Sequence, residues 1–389
     1  MEKIFGFVGM FVIVGIAYLF SSNKKEINWK SVGCAFAGQL VLALALIKTP
    51  LWKLVELASN GVTWLLSQAT EGINFVFGGI SDNYVFFINS LLPIVFISAI
   101  MGLLFHFGIL QKFIAVVGNT VAKVLKVDTL IAVNGVTNMF LGQSESLFVT
   151  KSYLPKASDP VIFATLVGGM TSISASVVGL YVGYGASMEW ILVSMPLTVF
   201  STFVLTQILM PTKYTNEVIE VESTDKGINA TETMMNYATA GFKGVIGISV
   251  ALMVFLSVVF MINNFIGLFF DGVTMQSILG IVFKPLAVIM GVPASDVSLA
   301  SEILATKLVT NEAVAFALPQ FAMLGTQAKA MVTVALCGFA GIGSIGILIG
   351  GYSAVAPEKV GVVAKLGMKA LLTATAVNLL TGAVIGLMI

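Results

Sequence analysis

Two polar segments interrupt long hydrophobic stretches of this chain, at 138–146 and at 307–316. Each holds a carboxylate close to an amide side chain: Gln143 and Glu145 in the first segment, Asn311 and Glu312 in the second. A charged side chain at the centre of a bilayer costs at least about 2.5–3.5 kcal/mol, so such residues usually face a cavity or a partner. One such segment in each half predicts a solute site built from two related halves.

The side chains of Gln143, Ser144 and Glu145 offer hydrogen-bond donors and acceptors on consecutive residues, directly after Gly142. Consecutive residues point in different directions on a helix, so this run is more typical of the tip of a helical hairpin than of a helix face. Such a tip can hydrogen-bond the edge of a polar heterocycle. The alternative is a polar cluster that only fixes helix packing.

Asn311 and Glu312 are predicted to form the matching tip in the second half. A carboxylate can accept two hydrogen bonds at once, which suits the vicinal hydroxyls of a sugar. The alternative is an internal salt bridge between Glu312 and Lys307. The two interpretations are compatible, because Lys307 can neutralise Glu312 while the site is empty.

Small oxygen-bearing side chains provide a candidate ion site. They are Asn138 near the first tip and, in a later hydrophobic stretch, Thr171, Ser172, Ser174 and Ser176. Na⁺ is typically held by such oxygens together with carbonyls freed where a helix is broken. Hydroxyls in membrane helices also serve simply as packing contacts, which is the alternative. No grouping of His, Cys or carboxylates indicates a transition metal, and the single histidine, His106, is expected to be structural or interfacial.

The segment 338–346 is very rich in glycine for a membrane helix. Small residues allow close backbone approach or local unwinding, and Phe339 within the segment could stack on a planar ligand; plain packing is the alternative. No strand precedes the glycines, so they do not indicate a nucleotide-binding loop. The sequence also lacks a nucleophile elbow, metal-ligand spacing and a Walker A motif, so we expect neither an enzyme nor an ATP-driven pump.

The composition indicates the class of protein that must position these residues. The chain has 389 residues, of which 58% are hydrophobic and 10% charged, and its mean hydropathy is +1.01. A soluble domain carries roughly 25% charged residues. Apolar runs of about 20 residues predict helices and not the strands of a barrel, so the predicted fold is an all-α polytopic membrane protein. The net charge of +1 does not indicate nucleic acid binding, and Cys34 and Cys337, both in apolar runs, are predicted to be buried thiols.

About eight membrane-spanning helices are predicted, at 4–20, 31–48, 84–105, 160–182, 189–210, 244–270, 329–350 and 366–388. The run 4–20 is interpreted as the first of them and not as a cleavable signal, because it is long and no small-residue cleavage site follows. The stretches 50–79 and 107–127 are amphipathic and are predicted to lie along the membrane surface. Lysines concentrate at 21–30, 107–127, 211–243 and 359–369, which predicts that these loops are cytoplasmic.

Segments 134–156 and 295–322 do not fit plain spans, because they carry Pro, Asn and Glu within apolar sequence. Non-helical backbone at membrane depth is tolerated where it lines a cavity, so two re-entrant helical hairpins are predicted. Each is followed by two spans, and the hairpins would open from opposite sides, as in an inverted repeat. The predicted division is a scaffold at 1–133, a first repeat half at 134–243, a second scaffold section at 244–294 and a second repeat half at 295–389.

Three segments resemble the concentrative nucleoside transporters, in the order in which that family has them. Residues 142–145 resemble its Gly-Gln-Thr-Glu hairpin, residues 305–316 its Gly/Ala-x-Lys-x3-Asn-Glu-Phe-Val-Ala-aromatic signature, and residues 335–340 the start of its next helix. The long lysine motif is specific, and the likeness of layout covers nearly the whole chain. The resemblance implies a bacterial homotrimer of elevator type, in which a scaffold surrounds a moving transport domain.

The resemblance also implies roles for individual residues, because in that family the hairpins and the broken helices after them hold a nucleoside and usually a Na⁺ ion. Gln143, Ser144 and Glu145 are then expected at the nucleobase, with Val177 nearby. Asn311 and Glu312 are expected in the substrate site, with Glu312 at the ribose hydroxyls and Phe339 and Ser344 beside it. Na⁺ is expected at Asn138 and Ser172, with backbone carbonyls near Leu141 and Ser176.

The chain departs from the family at three positions: Ser144 replaces Thr, Ala313 replaces Phe, and Gly341 replaces Asn. Glycine at 341 removes an amide from the ribose region and is expected to leave room there, for water or for a differently shaped nucleoside. The expected function is import of nucleosides across the cytoplasmic membrane by alternating access, coupled to a Na⁺ or H⁺ gradient. The alternatives are symport of another polar heterocyclic solute and, less in keeping with the sequence, a membrane-embedded enzyme or a passive channel.

Overall fold

The computed structural model describes residues 2–78, 84–215, 217–221 and 227–389. Across these ranges the regular elements are helices, and no strand occurs in them. The predicted all-α class is therefore confirmed for the described part of the chain. The physical reason is that a helix satisfies its backbone hydrogen bonds within its own segment, as an apolar surrounding requires.

The first part of the chain forms five helices: α1 (Glu2–Leu19), α2 (Trp29–Lys48), α3 (Trp52–Phe77), α4 (Pro93–His106) and α5 (Ile109–Leu125). A short π-helical turn, Phe87–Leu91, leads into α4. Pro93 opens α4, where its missing N–H breaks no helical hydrogen bond. Helices α3 and α5 coincide with the two stretches that the sequence predicts at the membrane surface.

The middle of the chain begins with short or interrupted helices: α6 (Thr129–Asn138), α7 (Glu145–Val149), α8 (Asp159–Thr171), α9 (Val178–Gly183) and then the long α10 (Met188–Leu209). The chain is not helical at 139–144, between α6 and α7. It is also not α-helical at 172–177, between α8 and α9, where Ala175–Val177 forms one 3₁₀ turn. The helix that contains residue 134, where the first hairpin is predicted to begin, starts earlier, at Thr129.

The last part contains α11 (Ala230–Gly267), α12 (Met275–Met290), α13 (Val297–Val309), α14 (Glu312–Ala317), α15 (Pro319–Met323), α16 (Thr326–Leu336), α17 (Gly343–Val355) and α18 (Val360–Met388). A pair of short helical segments, a broken helix and an unbroken helix thus occur in this order twice, in α6–α10 and in α13–α18. Helix α6 starts before the predicted boundary at 133/134, and α11 runs across the one at 243/244.

Within the described ranges, six segments are long and apolar enough to cross a membrane: Trp29–Lys48, Phe87–His106, Asp159–Gly183, Met188–Leu209, Ala230–Gly267 and Pro357–Met388. Each overlaps a predicted span. The apolar part of α1, Lys3–Leu19, is shorter than these six. The predicted span 329–350 is not one continuous helix, because α16 ends at Leu336 and α17 starts only at Gly343. The glycines between them have low helix propensity, and packing against neighbouring backbone stabilises the break.

The first interrupted helix, α8–α9, lies at the centre of the molecule. In Asp159–Gly183, 89% of the apolar stretch is buried, whereas in Ala230–Gly267 only 18% is. Helix α18 packs against α8, α16 and α10, and α11 packs mainly against α4. The side chain of Gln39 on α2 donates to Ser201 on α10, whose hydroxyl lies 2.8 Å from that of Thr381 on α18. Such interhelical hydrogen bonds help to hold helices together where no hydrophobic force acts between them.

The prediction that both cysteines are buried is wrong for Cys34, which is exposed, and right for Cys337. Helix α2 buries little of its surface in the chain, and an apolar residue on a membrane helix can face lipid as well as protein. His106 ends α4, and its Nδ1 lies 2.9 Å from the hydroxyl of Thr233 on α11. This contact between two helices agrees with a structural role for the histidine.

Candidate functional site

The first polar segment lies where α6 gives way to α7. Asp128 caps α6, because its Oδ1 accepts a hydrogen bond from the N–H of Leu130 at 2.9 Å. Burial raises the pKa of the Asp128 carboxyl, while hydrogen bonds from Thr215 and from the first backbone N–H groups of α6 oppose that rise. Gln143 and Ser144 lie in the break, and Glu145 opens α7. The three side chains therefore sit at the start of a short helix, as the sequence predicts for a hairpin tip.

A cavity of about 660 Å³ lies beside this break, within the range of small-molecule sites. Gln143, Ser144 and Glu145 line it, together with Val177 and Phe339. The structure thus brings five of the predicted substrate residues around one space. These residues come from three different breaks. Gln143, Ser144 and Glu145 lie at the break after α6, Val177 at the break after α8, and Phe339 at the break after α16.

Gln143 presents a free acceptor within the protein interior. Its side-chain nitrogen lies 3.5 Å from the hydroxyl of Ser344, at the long limit of a hydrogen bond. Its buried Oε1 has no hydrogen-bond partner in the described part of the chain. An unsatisfied buried acceptor costs about 1–3 kcal/mol, so this oxygen is suited to a donor from a ligand.

The cavity also has walls that the sequence did not indicate. Ile94, Ser98 and Met101 of α4 and Asn236 and Tyr237 of α11 line it. From the sequence, both helices were interpreted as plain spanning or connecting segments. The polar residues Ser98 and Asn236 were the only, weak indication that these helices contribute to a site. The unbroken helices α4 and α11 therefore contribute to the site alongside the broken ones.

The break after α8 is tied to the break after α6. Ser172 and Ser174 have extended backbone angles, and short hydroxyl side chains of this kind compete with helical hydrogen bonding. The N–H of Ala175 donates to the carbonyl of Phe140 at 3.2 Å. The hydroxyls of Ser174 and Ser176 lie 2.6 Å apart, and both residues line the cavity. One backbone hydrogen bond thus joins the two non-helical segments.

Asn138 has the features of a cation ligand. Its side-chain nitrogen donates to the backbone and side-chain oxygens of Asn134 at 3.0 and 2.9 Å, whereas its buried Oδ1 lacks a partner among the described residues. Ser172 is buried after α8, and Leu141 lies in the break after α6 and lines the cavity. The candidate ligand atoms are all oxygens, which suits an alkali cation. The described residues hold no group of three His, Cys, Asp or Glu that could bind a metal ion.

The second polar segment spans the break between α13 and α14, and its side chains have partners inside the protein. Asn311 caps α14 by accepting from the N–H of Val314 at 2.9 Å. Glu312 opens α14 and is buried, and its Oε1 accepts from the hydroxyl of Tyr181 at 3.1 Å. Tyr181 belongs to α9 in the first half and stacks on Phe316, with 4.7 Å between ring centroids. Sequence reasoning missed Tyr181, for which a phenol in a short apolar helix was the only signal.

Lys307 and Glu312 each have another partner, so the alternative of a salt bridge between them is not needed to explain their burial. The ammonium group of Lys307 donates to the carbonyl of Ala335 at 2.7 Å. The hydroxyl of Ser344 donates to the carbonyl of Phe339. Four predicted substrate residues are absent from the described lining of the cavity: Asn311, Glu312, Gly341 and Ser344. Among the described residues, the cavity therefore contacts the first polar segment and not the second.

The expectation that Gly341 leaves room is wrong. A Cβ atom at this position would lie 2.9 Å from the carbonyl oxygen of Thr310 and 3.3 Å from that of Lys307. The N–H of Ile342 donates to the carbonyl of Leu308 at 3.0 Å. The backbone between α13 and α14 thus fills the space beside Gly341, and glycine permits this close approach.

Comparisons with known proteins agree with this arrangement. Models of the N-terminal and C-terminal parts of Na⁺ dependent nucleoside transporters match residues 8–80 and 190–386. An uncharacterized transporter of Haemophilus influenzae is 32% identical, and the nucleoside permease NupC of Helicobacter pylori is 30% identical; each match covers 100% of this chain and 98% of the relative.

The fold has solved counterparts in more than one state. CNTnw in an inward-facing substrate-bound state gives a TM-score of 0.92 at 29% identity, over 100% of this chain and 98% of that one. A double variant of CNTnw in an outward-facing state gives a TM-score of 0.94 at 29% identity, over 100% of this chain and 99% of that one. The relatives are transporters and permeases and not enzymes. From the matching family models and the full-length likeness, we conclude that this multi-pass membrane protein belongs to the Na⁺ dependent nucleoside transporter family.

Proposed function

We propose that this protein is a secondary active symporter that imports nucleosides by alternating access, with a Na⁺ gradient as the driving force. The observation that carries the proposal is a pair of buried amide oxygens without hydrogen-bond partners among the residues that the structure describes, Asn138 Oδ1 and Gln143 Oε1. Asn138 ends α6, and Gln143 lies in the break that follows. Folding leaves such acceptors unsatisfied at a cost of about 1–3 kcal/mol each, which binding of a solute and a cation would recover.

The substrate side of the site is assigned by the chemistry of its walls. Gln143, Ser144 and Glu145 would hydrogen-bond the edge of the nucleobase, next to the apolar Val177. Phe339, which lines the same cavity, would pack against the ligand. Glu312 would accept the ribose hydroxyls, with Asn311 holding the start of α14 and Ser344 close to Gln143. For Glu312 to reach a substrate, the second hairpin has to open towards the cavity.

The ion side of the site would be formed by Asn138 and Ser172, with backbone carbonyls near Leu141 and Ser176. When bound, Na⁺ would supply a positive charge between the non-helical segments that follow α6 and α8. Those segments are already tied by the hydrogen bond from Ala175 to Phe140. By linkage, an ion that orders these segments strengthens substrate binding, and substrate strengthens ion binding by the same factor.

The architecture in which this occurs is also proposed. The pairs α6–α7 and α13–α14 would form re-entrant hairpins of an inverted repeat, and α8–α9 and α16–α17 would be the broken helices after them. The divisions at 1–133, 134–243, 244–294 and 295–389 would separate scaffold from moving parts, with α6 and α11 crossing two of them. The protein would be a homotrimer of elevator type in the cytoplasmic membrane.

A second candidate is symport of another polar heterocyclic solute. The observation that favours it is that Glu312 is satisfied by Tyr181 and does not belong to the described lining of the cavity. A solute that contacts mainly the first hairpin would then suffice. A proton could replace Na⁺ as the coupling ion, since Glu145 and Glu312 both carry carboxyl groups.

The deciding experiment is uptake by proteoliposomes with imposed gradients. Labelled uridine, adenosine and inosine are offered, and free nucleobases are the matched substrates without a sugar. We expect a Na⁺ gradient to drive accumulation of nucleosides, and Asn138→Ala to flatten the Na⁺ dependence. Accumulation of nucleobases alone would support the second candidate, uptake that follows only a pH gradient would refute Na⁺ coupling, and equilibration without accumulation would refute symport.

A further inference from the structure

The second half of the molecule contains a buried cation of its own. Lys307 lies in the last turn of α13, and its side chain is only 4% exposed. A buried ammonium group is costly unless oxygens replace its water. The carbonyl of Ala335, in the last turn of α16, provides one such oxygen at 2.7 Å. The ammonium thus lies at the carboxyl end of a broken helix, where carbonyls are left free and the helix dipole is negative.

The carboxyl end of α8 is connected to the same ammonium group through the side chain of Asn378 on α18. With its amide turned so that both neighbours are satisfied, Asn378 accepts from the Lys307 ammonium at 2.6 Å and donates to the carbonyl of Thr171 at 3.2 Å. Thr171 is the last residue of α8. The amide therefore connects the buried cation to the carboxyl end of the other broken helix.

Glycine at 338 makes this convergence possible. A Cβ atom there would lie 2.5 Å from the carbonyl oxygen of Thr171 and would also collide with the side-chain amide of Asn378. Real Cβ atoms essentially never come that close to another heavy atom, so a larger residue fits only if the backbone moves. The ends of α8 and α16 are consequently held in direct contact, with Lys307 beside them.

Lys307 and Asn138 occupy corresponding places in the two halves. Each lies in the last turn of a helix, α13 or α6, that ends in a break leading to a short helix. Each also reaches the last turn of the broken helix that follows: Asn138 packs against Gly168 of α8, and Lys307 bonds to Ala335 of α16. The difference is in charge. Asn138 presents an oxygen that lacks a partner in the described ranges of the chain, whereas Lys307 brings a cation.

We propose that Lys307 is a tethered cation, that is, a positive charge fixed to the chain. It occupies in the second half the position that an external ion would occupy in the first half. Its role is positional: it holds the ends of α16 and α8 together through Ala335 and Asn378. A consequence is that one external ion is coupled to each substrate, because the second cation is part of the chain. That consequence rests on the proposed function, whereas the compensation of the helix ends by Lys307 does not.

The test compares two truncations of one helix in the full-length protein. Leu304 is one turn before Lys307, is also buried, and lines the same small cavity at Asn378. Lys307→Ala removes volume and charge, and Leu304→Ala removes volume alone. The unfolding temperature of each purified protein is measured against Na⁺ concentration, with choline keeping the ionic strength constant. The steepness of this dependence reports how many ions the folded state binds.

We expect both variants to unfold at lower temperature than the parent in choline. In Lys307→Ala, Na⁺ can enter the vacated place, so its unfolding temperature should rise about twice as steeply with the logarithm of Na⁺ concentration as that of the parent. Leu304→Ala should keep the parental steepness. Equal steepness in the two variants would overturn the proposal, because Lys307 would then act by packing alone.

A second measurement keeps the proposal testable if Lys307→Ala does not fold. The ratio of charge moved to nucleoside moved is determined for the parent protein in proteoliposomes, and we expect one charge per nucleoside. Two charges per nucleoside would overturn the proposal. If the unfolding temperature of the parent does not depend on Na⁺ but that of Lys307→Ala does, Na⁺ symport would be refuted. The tethered cation would still be supported.

Discussion

Replacing Gly341 by alanine should disturb the contact between the two non-helical segments of the second half. The added Cβ would lie 2.9 Å from the carbonyl oxygen of Thr310, and ordinary contact begins at 3.4 Å. The two backbones would have to separate by about 0.5 Å, the difference between these distances. Both close atoms, on Thr310 and Lys307, belong to backbone, so no side-chain rotation can relieve the clash. The same separation would stretch the 3.0 Å hydrogen bond from Ile342 to Leu308.

The expected magnitude follows from the cost of overpacking, which is typically about 1–3 kcal/mol. If this strain acts only on the arrangement that binds substrate, the affinity should fall about 5–150-fold. Gly341→Asn carries the same Cβ and more atoms beyond it, so it should be at least as harmful. The sequence alone predicted instead that Gly341 leaves room at this position, in which case an asparagine would fit.

A matched control lies two residues away. A Cβ atom at Gly343, the first residue of α17, would meet no atom within 4 Å. Gly343→Ala should therefore be neutral, or stabilising by about 0.4–1 kcal/mol through the unfolded chain. Unfolding temperature in detergent and the concentration dependence of nucleoside uptake are measured for both variants. If Gly341→Ala behaves like Gly343→Ala in both assays, the close approach is not a constraint on the site and the reasoning is refuted.

Three further outcomes are expected. Tyr181→Phe keeps the stack on Phe316 but removes the hydrogen bond to Glu312. Such a bond is worth about 1.5–3 kcal/mol if the carboxylate is charged, so the affinity measured in uptake should fall at least about tenfold. An unchanged affinity would show that this bond does not position Glu312. Gln143→Leu removes a buried acceptor that has no partner among the described residues, so the unfolding temperature should hold or rise while uptake is lost. Retained uptake would contradict the place of Gln143 in the site. Asp128→Ala removes the cap of α6 and should lower the free energy of unfolding by about 0.5–2 kcal/mol. Asp128→Asn keeps an acceptor and should lower it less. Equal losses in the two variants would contradict the capping role.

The sequence by itself determined the class of fold and the position of two breaks, at Gln143 and at Asn311. A composition of 58% hydrophobic residues excludes a soluble domain, and runs of apolar residues mark the long helices. Gln143 and Asn311 lie at breaks because amide and carboxylate groups on neighbouring residues cannot all be satisfied on one helix face in an apolar surrounding. These are local properties, and local sequence is enough to reveal them.

The tertiary structure decided which of those residues share a space. It placed Val177 and Phe339 around the same cavity as the break between α6 and α7, and it gave Glu312 a partner in Tyr181. It filled with backbone the room expected at Gly341. It also broke the predicted span 329–350 and left Cys34 exposed.

The physical reason is that these outcomes depend on distances between segments far apart in the chain. Tyr181 and Glu312 are 131 positions apart, and the ends of α8 and α16 meet only because Gly338 lets two backbones touch. In a membrane, apolar residues can face lipid or protein equally well, so hydropathy marks a helix without telling which of its faces is covered. Packing between helices makes that choice, and with it decides which polar groups are left free to bind a solute.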